Sequence, residues 1–218
     1  MANNSANILS GSLISHLAYI EKTRKKSEDL LLTGTLTNRD VNVIYSGLFL
    51  EAVVSFERFL ENLFTDLLTK KVIHPSSKVK PKSFFKSSRI ARDVLLGERI
   101  YLDWLPYNRY TTKRAKRFFN NGLPFIDLDS LFGSGTDKKV DNMTERISII
   151  RNAIAHKSDH SIETFEKKVI SSAVALHSKE KNPIGYLRGL HSSHPKRTTR
   201  YEQIINEIKY ISVLLTSK

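Results

Sequence analysis

The chain has 218 residues, 40% hydrophobic and 26% charged, and its 35 Lys and Arg against 22 Asp and Glu leave a net charge of +13. That composition is globular rather than disordered, long enough for one domain with its own core, and basic enough to attract phosphate backbones or anionic surfaces. The absence of cysteine excludes disulfides, zinc ribbons, iron–sulfur clusters and thiol catalysis, and nine Gly with six Pro argue against a turn-rich β-sandwich.

Residues 6–32 repeat apolar positions at helical spacing (Ile8, Leu13, Leu17, Ile20, then Leu30 to Leu32), and Gly34–Asp40 interrupts them. Thr37 or Asn38 is placed to cap a long second helix from Val41 to Leu68, with Ile44, Leu48, Ala52, Phe56, Phe59, Leu63 and Leu67 on its apolar side. His74-Pro75-Ser76-Ser77 reads as its end. The longest uncharged apolar stretch, Val41 to Leu50, stops at Glu51, short of the roughly 20 residues a spanning helix needs. With no basic region ahead of the first apolar residues, a secretory leader is not expected, and a cytoplasmic protein is.

Residues 70–120 differ in character. Fourteen Lys and Arg stand there against Asp93, Glu98 and Asp103, so nearly all the excess charge lies in a quarter of the chain. Two short helices are expected, near 87–97 and 111–120. Eight rings are interleaved with the charges: Phe84, Phe85, Tyr101, Trp104, Tyr107, Tyr110, Phe118 and Phe119. Most of these rings read as a local core. The cations, with Lys113, Arg114, Lys116 and Arg117 as the densest run, read as a solvated face or as a surface that tracks a nucleic-acid backbone.

Phe132-Gly133-Ser134-Gly135 reads as a flexible break, and Asp137 as the cap of a helix running to about His156. A short helix from Ile162 to about Ser172, a basic loop from His191 to Thr199 and an amphipathic helix from Thr199 to Leu215 complete the chain. No strand pattern or internal repeat appears, so the expected fold class is all-α.

On a wheel at 100° per residue, Val140, Met143, Ile147, Ile150 and Ile154 share a sector about 80° wide, an ordinary core stripe. Glu145, Ile149, Asn152 and His156 occupy another side, where the mixture of isoleucine and polar groups suggests a partner surface or a cleft. Asn152 and His156, four apart, are neighbours, whereas Arg151 lies about 140° from His156. Two copies of this helix related by a two-fold axis would bring two Arg and two His into one cleft.

Arg151-Asn152-Ala153-Ile154-Ala155-His156 resembles the R-N-x-x-x-H signature of the HEPN superfamily, all-helical domains common in prokaryotic defence and toxin systems. Ser55-Phe56-Glu57-Arg58-Phe59-Leu60-Glu61 resembles the early acidic-aromatic helix of these domains. Gly185-Tyr186-Leu187-Arg188, with Thr199-Arg200-Tyr201-Glu202 further on, is similar to the RiboL-PSP-HEPN branch and a neighbouring nuclease branch. The resemblance covers most of the chain outside a basic stretch at about 72–136, which reads as a helical insertion in a single HEPN domain spanning 1–218.

The resemblance implies an antiparallel helical bundle that acts as a homodimer. It also implies a metal-independent endoribonuclease, without cofactor. His156 would take the proton of a ribose 2′-OH, since an imidazole exchanges protons near neutral pH. Arg151, planar and permanently charged, would stabilise the phosphoryl oxygens, and Asn152 would orient the phosphate or the imidazole. Glu57 would orient a residue of the site. The implied products are a 2′,3′-cyclic phosphate and a 5′-OH, and the implied setting is a toxin or phage-defence effector with an antitoxin or a defence-system partner.

Other readings stand beside this one. An Arg-Asn and a His at a helix end also serve as capping groups for the last carbonyls, and an all-α module that binds nucleic acid or protein without catalysis fits the same charges. His156 with His160, and His191 with His194, have metal-ligand spacing but lack a third ligand; Asp159-His160-Ser161 reads as a helix cap.

Overall fold

The computed structural model describes residues 4–126, 128, 139–173, 176–191 and 197–217. The fold is all-α. Eight α-helices are present among the described residues, with two strands of two residues each. The Phe132–Gly135 break, the Asp137 cap and His194 lie outside the described residues.

Helix α1 is Asn7–Leu32 and α2 is Asn38–Leu68. At the end of α1, Gly34 takes φ +75°, and the Gly34 and Thr35 N–H groups donate to the carbonyls of Leu31 and Leu30 at 3.0 and 2.9 Å. This satisfies the last carbonyls of the helix, and glycine adopts the left-handed conformation without a Cβ penalty. Thr37 caps α2 reciprocally with Asp40: the Asp40 N–H donates to Thr37 Oγ1 at 3.2 Å, and the Thr37 N–H donates to Asp40 Oδ2 at 2.8 Å. The Thr37 hydroxyl and N–H hold the Asp40 carboxyl below its ordinary pKa.

The expected stop of α2 at His74-Pro75 is corrected. The helix ends at Leu68, where Lys70 turns left-handed at φ 57° and the Lys71 N–H donates to the Asp66 carbonyl at 2.9 Å. A lysine thus closes α2 in the same motif that glycine closes α1. Val72–Ile73 (β2) then pairs in parallel with Asn4–Ser5 (β1), in register Asn4 to Val72 and Ser5 to Ile73.

The chain folds as two compact units, each assembled from several stretches: Met1–Ile14, Ser55–Glu145 and Lys209–Lys218 in the first, Ser15–Val54 and Arg146–Ile208 in the second. The described part of the basic stretch lies in the first unit. There Ser87 caps α3 (Ser88–Leu96), accepting from the Ile90 N–H at 3.3 Å. A turn of π-helix at Asn108–Thr112 leads into α4 (Lys113–Phe118). Residues 80–82 bind back onto the end of α4, with Lys82 N–H to the Phe118 carbonyl at 2.8 Å and Asn120 N–H to that of Lys80 at 2.9 Å.

Rings make the core of this unit. The Phe64 centroid lies 4.9 Å from those of both Phe119 and Phe125 and 5.4 Å from that of Trp104, and all four side chains are buried. Such pairs add about 0.5–1.5 kcal/mol each beyond the area they bury. Trp104, Tyr107 and Phe119 are therefore core, as the sequence suggests for most rings, while Phe84 and Tyr101 stay exposed. His74 is buried in the same unit. Its Nε2 faces the Leu215 carbonyl at 3.1 Å and its Nδ1 accepts from the Ser76 N–H at 3.1 Å, which selects the neutral Nε2–H tautomer. Burial lowers its pKa.

In the second unit, α5 (Lys139–His156, entering from the first) is followed by α6 (Asp159–Phe165), continued by a π turn at Glu166–Ile170. Ser158, not Asp159, is the cap of α6, accepting from the Ser161 N–H at 3.3 Å. A short α7 (Pro183–Arg188) and the final α8 (Arg200–Ser217) come next. Helix α7 is not among the expected elements, although Asn182-Pro183 announces it: the Asn182 side chain accepts from the Gly185 N–H at 2.8 Å and Pro183 sits in the first turn. Tyr45 and Phe49 pack edge-on to Tyr201 at 5.4 and 6.2 Å, and Phe165 packs on Tyr186 at 6.0 Å.

Candidate active site and basic surface

Helix α5 is unbroken to its last residue, so its wheel holds. Val140, Met143, Ile147, Ile150 and Ile154 are all buried, as the stripe requires. On the other side Glu145, Ile149 and Asn152 are half-buried, and His156 is exposed. His156 ends the helix, Lys157 reverses the chain at φ 51°, and residues 155–160 are all exposed. The imidazole therefore stands on an open turn. Asn152 is one helical turn behind it, and Arg151 is half-buried on a different flank.

A cleft does border this helix, but on neither of those sides. Ala153, Ile154 and Lys157 wall an apolar hollow of about 410 Å³ with Val43, Ile162 and Ile184. The face carrying Asn152 and His156 does not line it. Glu57, half-buried on α2, belongs to the first unit, whereas Arg151, Asn152 and His156 belong to the second. Within that second unit the three motif residues come together on the last turn and a half of one helix.

Of the four basic residues singled out on α4, Lys113, Lys116 and Arg117 are exposed. Arg114 is not free to bind a ligand. Its guanidinium donates to the Asp103 carbonyl and lies over the Trp104 ring at 5.0 Å, and burial lowers its pKa, with the charge of Arg99 acting in the same direction. It positions the chain between Asp103 and α4.

Arginines inside the second unit were not legible as site residues. Arg24, 4% exposed, donates to Tyr45 Oη at 2.9 Å and to Glu202 Oε1 at 2.5 Å. Burial acts to lower its pKa, but the Tyr45 hydrogen bond and the charge of Glu202 outweigh that and raise it. Burial pushes the Tyr45 hydroxyl up to about 12. Glu202 also caps α8, accepting from the Thr199 N–H at 2.9 Å; burial acts to raise its pKa, and the Thr199 bonds with Arg24 bring it below the ordinary value.

Arg188 forks onto both oxygens of Glu28 at 3.2 and 3.1 Å and reaches Asn42 at 2.9 Å. Arg200 lies over the Tyr186 ring at 4.8 Å, donates to the Tyr186 carbonyl at 3.2 Å and pairs with Glu180 at 3.5 Å. A Cβ on Gly189 would stand 2.2 Å from Arg200 Nη1, so only glycine leaves room for this pair. The signal lies in spacing: Leu13, Leu17, Ile20, Arg24 and Ser27 form one buried heptad-like stripe, and an arginine in such a stripe needs a buried partner.

Among the described residues no three His, Asp or Glu side chains gather closely enough to hold a metal ion, and no helix is long and apolar enough to cross a membrane. No model of a known protein family, no curated protein and no solved structure matches the chain.

Proposed function

We propose that the chain is a metal-independent endoribonuclease of the HEPN kind, an antiparallel helical bundle working as a homodimer. The observation that carries this reading is the end of α5: Arg151 and Asn152 half-buried, and His156 exposed on the turn after it. Side chains sealed in a core would have ended the proposal; these are open to a substrate. His156 removes the 2′-OH proton of a ribose, and the 2′ oxygen forms a bond to the adjacent phosphorus as the bond to the 5′ oxygen breaks and that oxygen takes up a proton. Arg151 holds the phosphoryl oxygens, Asn152 orients the phosphate, and Glu57 orients the site. The protein is a toxin or phage-defence effector, restrained by an antitoxin or a defence-system partner. No metal or cofactor enters these steps.

Because the nucleophile belongs to the ribose, RNA is cut and DNA of the same sequence is not. Purified protein incubated with labelled RNA yields fragments ending in 2′,3′-cyclic phosphate and 5′-OH. His156→Ala and Arg151→Ala each abolish the cutting while RNA binding and oligomeric state persist. Cleavage unchanged in both variants, or nicking of DNA, removes the proposal. A protein that binds RNA and never cuts it would instead be a binding module, the reading favoured by the exposed Lys113, Lys116 and Arg117.

A further inference from the structure

A second constellation, in the first unit, lies outside the catalytic steps. The end of α3 with the chain just after it, and α4 with the turn before it, enclose a cleft of about 910 Å³. Arg99, Arg109, Lys113, Arg114 and Arg117 line it, against Glu98 and Asp103. Arg114 is committed to the Asp103 carbonyl and the Trp104 ring. The other four cations make no ion pair with any described residue. Arg109 and Arg117 are steadied over the rings of Tyr110 and Phe118, at 5.4 and 5.3 Å, which restricts their planes without cancelling their charge.

Like charges on facing walls repel one another, and a concave surface of one sign concentrates the field and draws in a polyanion. At the lining of the same cleft, Ile100 is 94% exposed and Tyr101 70% exposed, leaving a ring in water beside unneutralised cations. A ring next to cations that track a phosphate chain is the combination that single-stranded nucleic acids use, since every unpaired base offers a face to stack.

We propose that this cleft holds a single-stranded segment of RNA, with Arg99, Arg109, Lys113 and Arg117 on phosphates and Tyr101 stacked on an unpaired base. The identity of the polymer rests on the ribonuclease reading; its single-stranded form rests on the cleft. A duplex keeps its base faces stacked inside and has none to give Tyr101. A lipid surface is flat and does not reach cations recessed in a cleft.

The test uses the full chain carrying His156→Ala, so that RNA is not consumed. Fluorescence anisotropy measures the affinity for a labelled single strand of about 12 nucleotides, within the span of one such groove, and for the same sequence as a duplex. The single strand is expected to bind more tightly. Tyr101→Phe retains that affinity, and Tyr101→Ala loses roughly five- to a hundred-fold, the range of one base stack, with duplex affinity unmoved. Arg99→Glu and Arg117→Glu weaken binding and flatten its dependence on salt, whose slope for four phosphate contacts on a single strand is about −3.

Equal affinity for duplex and single strand, or no effect of Tyr101→Ala, overturns the proposal. Displacement of the RNA by phosphatidylserine vesicles or by polyglutamate, as effective as by unlabelled RNA, overturns it in favour of a membrane or an acidic protein. Loss of the cleft proposal while the native chain still cuts RNA through His156 leaves the ribonuclease reading standing. Tight single-strand binding without any cutting leaves the cleft and removes the nuclease.

Discussion

At the scale of single residues, charge type says little until the neighbours of each charge are known. Arg114 and Lys116 sit two apart in the same basic run, yet Arg114 is held by the Asp103 carbonyl and the Trp104 ring while the Lys116 side chain is exposed. Arg114→Ala removes a charge-assisted hydrogen bond and a cation–π contact, and it should cost about 2 kcal/mol in urea denaturation. Lys116→Ala should stay within about 0.5 kcal/mol of the parent. The two changes are expected to part again in RNA binding, where Lys116→Ala weakens affinity without loss of fold. His156, exposed at a helix end, belongs with Lys116: its replacement is expected to spare stability, which is what makes it a clean probe of cleavage.

Helices in this protein end and bind through groups placed at their termini. The carboxylate of Glu202 both caps α8 through Thr199 and neutralises Arg24 in the stripe of α1, so one side chain sets the start of one helix and satisfies a buried charge on another. Arg24→Met leaves Glu202 and Tyr45 without their donor in a largely buried setting. Breaking a buried pair from one side costs about 3–5 kcal/mol, and the midpoint of urea unfolding should fall accordingly. Adding Glu202→Gln to Arg24→Met should cost less than the sum of the single changes, because the orphaned charge is then gone. Full additivity would mean that the two groups do not act on each other.

At the scale of the whole molecule, acid should destabilise the fold through His74. Its folded pKa is lowered by burial, and its Nε2–H and Nδ1 are both used, by the Leu215 carbonyl and the Ser76 N–H. The unfolded chain binds a proton at this residue below about pH 6.5, and the folded chain does so only at lower pH. Stability is therefore fully present above about 6.5 and declines as pH falls through that value toward the folded pKa. His74→Gln, which keeps a donor for the Leu215 carbonyl, should flatten the slope of urea stability between about pH 7 and 5. An unchanged slope would place the proton elsewhere.

Composition, periodicity and spacing by themselves determined the helical class, the extents of α1, α2, α5 and α8 to within a few residues, and the apolar side of α5. These come from local rules: a 3.6-residue repeat and short-range caps are written into neighbouring positions. The concentration of cations in 70–120 was equally plain, and so was the motif ending at His156. Tertiary structure alone decided that Arg114 is structural, that Tyr101 stays in water while Trp104 is buried, and that Arg24 meets Glu202 from 178 residues away. It also decided where α2 stops, since the strand after Lys70 pairs with the first residues of the chain. A side chain's partner is set by three-dimensional proximity, and spacing along the chain carries no record of it beyond about one helical turn.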